Sequence, residues 1–259
     1  MWEAFSAASV GLVLVFVWFI PILKVRSFQT GTRLRLFLLL VPIGCFGQLG
    51  IVLRGYASSD VREDPAFLYV YFVAGILPFL AAVFISGMLG ISFLDDALQK
   101  GEPGAAFALT GATLASMSCY SGSNIGSGPG PEVVIFCSVL SLGTLVILWA
   151  LFEMALSPSL SEKITVERDT LAGLRLCSWL LALGIVLGWS VAGDWVSMRQ
   201  TLSDFVSSAW PAVALLILGI SCESFLSRRR VVGRSAMPIS VAAGALYLLL
   251  GSAWVIANR

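Results

Sequence analysis

The 259-residue sequence contains no histidine, and only 12% of its residues are charged. A soluble domain typically carries charge on about a quarter of its residues. Without histidine, a serine–histidine hydrolase site and the HExxH zinc motif are both excluded, and the commonest side chain for acid–base chemistry is missing. The sequence therefore predicts a protein that is not an enzyme, with no catalytic residues, no cofactor and no metal site.

Net charge is also scarce, because the formal charge is only +1. Nucleic-acid binding needs a concentrated basic surface, so no nucleic-acid partner is predicted. The five cysteines form no CxxC pair, and we expect them to be small buried side chains. They are Cys45, Cys119, Cys137, Cys177 and Cys222.

Apolar residues are abundant: they make up 58% of the chain, and the mean hydropathy is +0.93. A helix needs about 20 such residues to cross a bilayer, and unpaired strands are not tolerated in lipid. The sequence predicts an all-α fold, a polytopic membrane helix bundle of about eight spans separated by short polar connectors. The candidate spans are 5–23, 36–54, 67–93, 104–121, 131–156, 171–193, 206–226 and 237–257.

Two of these spans need comment. The first lacks a basic segment before it and has Lys24 and Arg26 after it, which favours a retained span over a cleaved signal. The fourth, 104–121, has a short apolar part and runs into serines, so it is either a full span or a re-entrant segment. A full span is preferred, because a re-entrant one would reverse the charge bias of every later loop.

Orientation follows from the distribution of lysine and arginine. With an outer N-terminus, twelve of the sixteen basic residues fall on the cytoplasmic side, as the positive-inside rule requires. With an even number of spans, both termini are predicted outside.

Two stretches share one layout, a long helix, a charged elbow and a helix rich in small residues. The elbows are 95–103 and 161–169, and both hairpins start outside, which predicts a parallel pair. Glu102 and Asp169 end the elbows and are predicted elbow caps, because an acidic side chain suits a helix N-terminus.

The segment from Leu68 to Val206 resembles the YjfL-like family of small bacterial inner-membrane proteins. The resemblance rests on Gly104–Gly111 and on 155–173, in which Leu160–Ile164 and Asp169–Gly173 are the most specific pieces. It implies two tandem helical hairpins and a multi-pass protein of the bacterial inner (plasma) membrane, in a family often associated with membrane-stress or PspA-like systems. This chain departs from the family at Glu102 and Asp169, where the family usually has asparagine.

The resemblance divides the chain into three regions. Residues 1–66 form two N-terminal transmembrane helices, 67–206 the YjfL-like double hairpin, and 207–259 a C-terminal transmembrane hairpin.

Arg175 is the most unusual residue, since it lies about a turn and a half inside the sixth span. An arginine at this depth either extends to the interface or pairs with a buried acid, for which Glu153, Glu223 and Asp169 are candidates. Arg175, Glu223, Glu153 and Gln48 together are a possible polar path.

Two further features have alternative readings. The cluster Arg228, Arg229, Arg230 and Arg234 is a topology signal that is also expected to face anionic lipid. The Gly/Ser/Pro-rich loop 121–131 is either a flexible connector or a site where carbonyls bind a cation.

Two functions remain open. The first is an oligomerising scaffold or regulatory partner in the bacterial envelope, whose partners are the lipid bilayer and either itself or another membrane protein. The second is an ion channel or small-solute transporter with a polar path near Arg175. The shortage of intramembrane charge favours the first.

Overall fold

The computed structural model of this chain describes residues 13–24, 31–229 and 236–258. Within these ranges the protein is helical and has no β-strand; an isolated bridge joins Ala57 to Gly126. In chain order the helices are α1 (Val15–Lys24), α2 (Thr32–Gly55), α3 (Ser59–Glu63), α4 (Pro65–Met88), α5 (Phe93–Gln99), α6 (Pro103–Ser123), α7 (Pro131–Ala155), α8 (Leu160–Thr165), α9 (Thr170–Ser190), α10 (Met198–Ser208), α11 (Trp210–Arg229) and α12 (Ala236–Ala257).

Six helical segments in the described residues are long and apolar enough to cross a membrane. They are α2, α4, α7, α9, the consecutive α10 and α11, and α12. Large apolar side chains such as Phe84, Ile147 and Leu249 are 60–69% exposed on the outer helices. A continuous apolar exterior of this kind fits lipid rather than water. The chain is therefore a multi-pass membrane protein.

Helices α6 and α9 form the centre of the bundle. The apolar window of α9 is 67% buried, whereas those of the surrounding spans are 28–33% buried. Nearly every residue of α6 is buried as well. Because α6 faces neighbouring helices rather than lipid, it can be rich in Gly, Ala and Ser and less apolar than the outer spans.

Four helices lie side by side and run in the same direction, in the order α2, α6, α9, α12. Gln48 of α2 donates to Ser118 of α6 over 2.8 Å. Arg175 of α9 donates to Ser240 of α12 over 2.7 Å. The most extensive helix–helix contact is the one between α6 and α9.

Glycines bring the backbones of α6 and α9 together. A Cβ atom on Gly111 would overlap the backbone of Cys177, and one on Gly173 would overlap Gly104. Farther along the two helices, Gly122 lies against the backbone of Gly188 in the same way. Small residues permit this close approach, so the seam leaves no space for a pore between α6 and α9.

The two elbows before these helices have matching geometry. Ser92 caps α5 by accepting from Asp95 N–H, and Ser159 caps α8 by accepting from Glu162 N–H. Each elbow then contains a left-handed residue, Gly101 with φ 67° or Arg168 with φ 57°. Ser92 and Ser159 are 67 residues apart, and so are Gly101 and Arg168. The hairpin α4–α5–α6 and the hairpin α7–α8–α9 therefore have corresponding turns.

The third predicted span, 67–93, extends too far at its C-terminal end. The helix stops at Met88, Gly90 adopts φ 91°, and Ile91 N–H donates to the Ser86 carbonyl over 2.8 Å. The apolar sequence nevertheless continues into α5, a π-helix in the elbow. The predicted span runs on to residue 93 because residues 89–93 are mostly apolar, whereas the charged elbow is predicted only from residue 95.

The first and fourth predicted spans have different outcomes. Residues 5–12 lie outside the described residues, and Val15–Lys24 is a shorter apolar helix. The fourth span corresponds to α6, an uninterrupted helix of 21 residues that lies against α9 from Gly104 to Gly122.

Candidate functional site

Arg175 forms a buried ion pair with Glu223. Its Nε donates to Glu223 Oε1, and its Nη2 donates to Glu223 Oε2 over 3.0 Å. The third nitrogen, Nη1, donates to the Ser240 hydroxyl over 2.7 Å. Arg175 is 5% exposed, and Glu223 and Ser240 are each 1% exposed. The planar guanidinium matches the carboxylate in a bidentate arrangement that lysine could not reproduce.

The position of the pair follows from the helix that carries it. Asp169 caps α9 by accepting from Leu171 N–H and Ala172 N–H, at 2.9 and 3.1 Å. Its other oxygen, Oδ2, lies 3.9 Å from Arg175 Nη2. One carboxylate thus caps the helix and adds negative charge beside the arginine.

The network joins three helices, since Arg175 belongs to α9, Glu223 to α11 and Ser240 to α12. Two buried charges in a low-dielectric interior are tolerated only when they are paired and hydrogen bonded. Of the predicted counter-ions, Glu223 and Asp169 contact Arg175. The alternative in which Arg175 extends to the interface does not describe the side chain, which is buried.

An aromatic layer covers the pair one helical turn farther along α9. Trp179 stacks on Phe152 with ring centroids 4.3 Å apart, and its Nε1 donates to the Leu215 carbonyl over 2.8 Å. Gly219 of α11 lies directly against both rings. The polar network is therefore bounded by closely packed apolar groups on this side.

Tyr247 of α12 lies near Arg175, Glu223 and Cys222. Its side chain is 2% exposed, and its hydroxyl has no hydrogen-bond partner in the described residues. The neighbouring Cys222 thiol is a weak hydrogen-bonding group, so this hydroxyl has no strong partner among the described residues.

Glu153 and Gln48 lie apart from this network. Glu153 accepts from Ser161 N–H over 3.0 Å and from Trp149 Nε1 over 3.2 Å, so it fastens the elbow to α7. Gln48 donates to Ser118 between α2 and α6. The structure therefore brings together two members of the predicted polar path, Arg175 and Glu223, and separates the other two from them.

The two predicted elbow caps also behave differently. Asp169 makes side-chain cap bonds, whereas Glu102 makes none at the start of α6. Glu102 instead accepts from Arg168 Nε over 2.9 Å, which joins the two elbows. Arg168 has a left-handed backbone conformation, which is rare for a residue other than glycine. No sequence pattern predicts this conformation, so the pairing of Arg168 with Glu102 could not be predicted.

Two elbow residues with clear structural roles were not among the predicted site residues. Asp96 is buried and accepts from Lys100 Nζ over 2.7 Å, and this bond raises the pKa of Lys100. Lys163 is also buried, and its Nζ donates to Ser227 of α11 over 2.6 Å. Charged residues in a connector are normally solvated, so sequence alone carries no signal for their burial.

The basic cluster is only partly described. Arg228 and Arg229 belong to the last turn of α11, and Arg230 and Arg234 lie outside the described residues. No group of three or more His, Cys, Asp or Glu residues in the described ranges could hold a metal ion.

Comparison with known proteins identifies one family. No curated protein and no solved structure matches the chain. A family model described as "Domain of Unknown Function (DUF350)" matches residues 61–191, which comprise α4 to α9 and both elbows. The match covers just over half of the 259 residues. The chain therefore belongs to the DUF350 family.

Proposed function

We propose that this protein is a non-enzymatic membrane protein that acts as an oligomerising scaffold or regulatory partner. The observation that carries the proposal is the internal pairing of its buried charges. Arg175 is paired with Glu223, and Glu153 accepts hydrogen bonds from its own elbow. Side chains used in this way stabilise a rigid bundle, whereas a transport path needs polar groups that face an aqueous route.

The finer assignment is to a YjfL-like protein of the bacterial inner membrane with eight spans and both termini outside. Two arguments support it: the motifs of the elbows and the positive-inside distribution. The central α6 contributes a span in this topology, because it accompanies α9 along its whole length. A first span that includes Val15–Lys24 completes the set.

A channel or transporter is the second candidate. It is favoured by the Tyr247 hydroxyl of α12, which lies near Arg175 and Glu223 and has no strong hydrogen-bond partner in the described residues. A water molecule or a solute at this hydroxyl would extend the polar network along the α9–α12 contact.

The state of assembly in native lipid tests the scaffold proposal. We expect detergent-free polymer nanodiscs to contain the protein with itself or with another membrane protein, as measured by native mass spectrometry and crosslinking. Crosslinking in intact membranes before extraction controls for dissociation. Monomers alone in both preparations would contradict the proposal.

Flux through liposomes tests the second candidate. The double substitution Arg175→Met with Glu223→Leu removes both charges and avoids leaving one of them buried alone. For a scaffold, we expect the wild type and this double variant to leave the vesicles equally tight to ions and small solutes. A selective flux in the wild type that the double variant abolishes would establish transport instead.

A further inference from the structure

A cleft of about 510 Å³ opens at the end of the bundle opposite the elbows. Its walls come from four parts of the chain: α3 with the start of α4, the loop 123–131 with the start of α7, the loop 190–195, and α10. Pockets for small molecules in proteins range from about 300 to 1,000 Å³, so this cleft has the size of a ligand site.

Hydrogen bonds between the two loops hold the cleft in shape. Gly193 N–H donates to the Ile125 carbonyl over 3.0 Å, and Trp195 N–H donates to the Ser127 carbonyl over 2.8 Å. Ser127 N–H in turn donates to Asp194 Oδ1 over 2.7 Å. The Gly/Ser/Pro-rich loop is therefore tied to its neighbour at several points, and the wall that it forms is built before any ligand arrives.

The charged side chains that line the cleft in the described residues are all carboxylates. Asp60 of α3, Asp194 of the second loop and Asp204 of α10 all line the cleft, and no lysine or arginine in the described part of the chain lines it. Carboxylates of one sign in a concave surface concentrate the field and attract cations from solution.

The walls also contain three aromatic side chains, Phe67, Tyr71 and Trp195. Trp195 is held by an edge-to-face contact with Phe136, at a centroid distance of 5.8 Å. Aromatic faces attract ammonium groups through the ring quadrupole, and they offer little to a hydrated inorganic ion.

The base of the cleft is polar. Ser123 and Asn124 line it from the C-terminal end of α6. Ser123 Oγ and Asn124 Nδ2 both donate to the Tyr120 carbonyl over 2.7 Å, so these two side chains are held in place.

We propose that this cleft binds an organic cation, an aliphatic amine with more than one ammonium group. The carboxylates are spread over three elements, and no described cluster could chelate a metal ion, so an extended ligand fits the charge pattern better than a single metal ion. The aromatic walls bind its ammonium and methylene groups. This inference rests on the cleft alone, and it stands or falls separately from the scaffold proposal.

Spermidine binding to the full chain tests the proposal. The protein is placed in phosphatidylcholine nanodiscs, whose neutral lipid does not attract the amine, and the Kd is measured by calorimetry at low salt. The test variant carries Asp60→Asn with Asp204→Asn; Asp194 is left intact because it holds the loops together. We expect its Kd to rise by about tenfold or more.

The matched control is Glu63→Gln. Glu63 belongs to the same short helix as Asp60 and is exposed, but it does not line the cleft. We expect its Kd to stay within about twofold of the wild type, because an exposed charge outside the cleft is screened.

Three results would overturn the proposal. They are no spermidine binding above that of empty nanodiscs, equal binding by the double variant and the wild type, or calcium binding to the cleft where spermidine does not bind. Circular dichroism of each variant confirms that the helices are retained.

Discussion

Arg175 shows what can be predicted at the scale of one residue. Its position inside an apolar helix predicts that it needs a partner, and its sequence neighbourhood offers Glu153, Glu223 and Asp169. The choice among them depends on how α9 and α11 are rotated about their axes, which hydropathy does not specify. Ser240 could not be identified in advance, because a serine in an apolar helix usually bonds to its own backbone.

The first prediction concerns Arg175→Ala. This change leaves Glu223 buried without its counter-ion, so we expect the free energy of unfolding to fall by about 3–5 kcal/mol. Chemical or thermal unfolding in one fixed detergent measures the loss. Arg199→Ala is the control, because Arg199 is exposed on α10 and its loss should change stability by about 0.5 kcal/mol or less.

The double variant Arg175→Met with Glu223→Leu distinguishes the contribution of charge pairing from that of the local packing. With both charges removed, we expect most of the stability lost in Arg175→Ala to be recovered, because the desolvation cost disappears together with the attraction. A double variant as unstable as the single one would mean that the hydrogen bond to Ser240 and the local packing matter more than charge pairing.

At the scale of the element, the sequence predicts which segments are helical better than it predicts where each helix ends. Apolar length identifies α2, α7 and α12 closely, since lipid requires it. The predicted third span runs to residue 93, whereas α4 ends at Met88, because the residues between them are mostly apolar and hydropathy does not register the turn at Gly90. The family match begins at residue 61 and ends at 191, so it contains both elbows and both central helices.

The seam between α6 and α9 gives the second prediction, for Gly111→Ala. A Cβ at this position meets the backbone of Cys177, which cannot move without separating the two helices. We expect a lower midpoint of thermal unfolding, although alanine is intrinsically the better helix former by about 1 kcal/mol.

The control for the seam is Gly47→Ala on α2. Gly47 has open space where its Cβ would be, so alanine should leave the midpoint unchanged or raise it. If both variants were equally stable, the close approach at Gly111 would contribute nothing to the fold.

At the scale of the whole molecule, two functions require different bundles. A scaffold needs a rigid centre and an apolar exterior. Helices α6 and α9 form the rigid centre through their glycine contacts, and the exposed apolar side chains of the outer helices form the exterior. A transporter needs an aqueous route, and the described polar groups are separated by closely packed aromatic side chains such as Trp179. Composition predicted the shortage of intramembrane charge but could not reveal that this charge is paired internally.

The last prediction concerns the topology, and in particular α6. It is predicted as the fourth span although its apolar part is short, and it lies along the full length of α9, so the two should cross together. Cysteines introduced one at a time at Ser127 and Ser203 should react with a membrane-impermeant thiol reagent on intact cells. Cysteines at Lys100 and Glu167 should react only after permeabilisation, because they lie in the elbows at the opposite end.

The native cysteines in this experiment are buried or half-buried and supply the unmodified control. One helix, α6, separates Lys100 from Ser127, so labelling of both from the same side would show that α6 does not cross. Opposite labelling with Lys100 reactive on intact cells would keep α6 as a span and reverse the predicted orientation. Either result bears on the acidic cleft, because Ser127 forms part of it and its side of the membrane is the side from which a cation reaches the carboxylates.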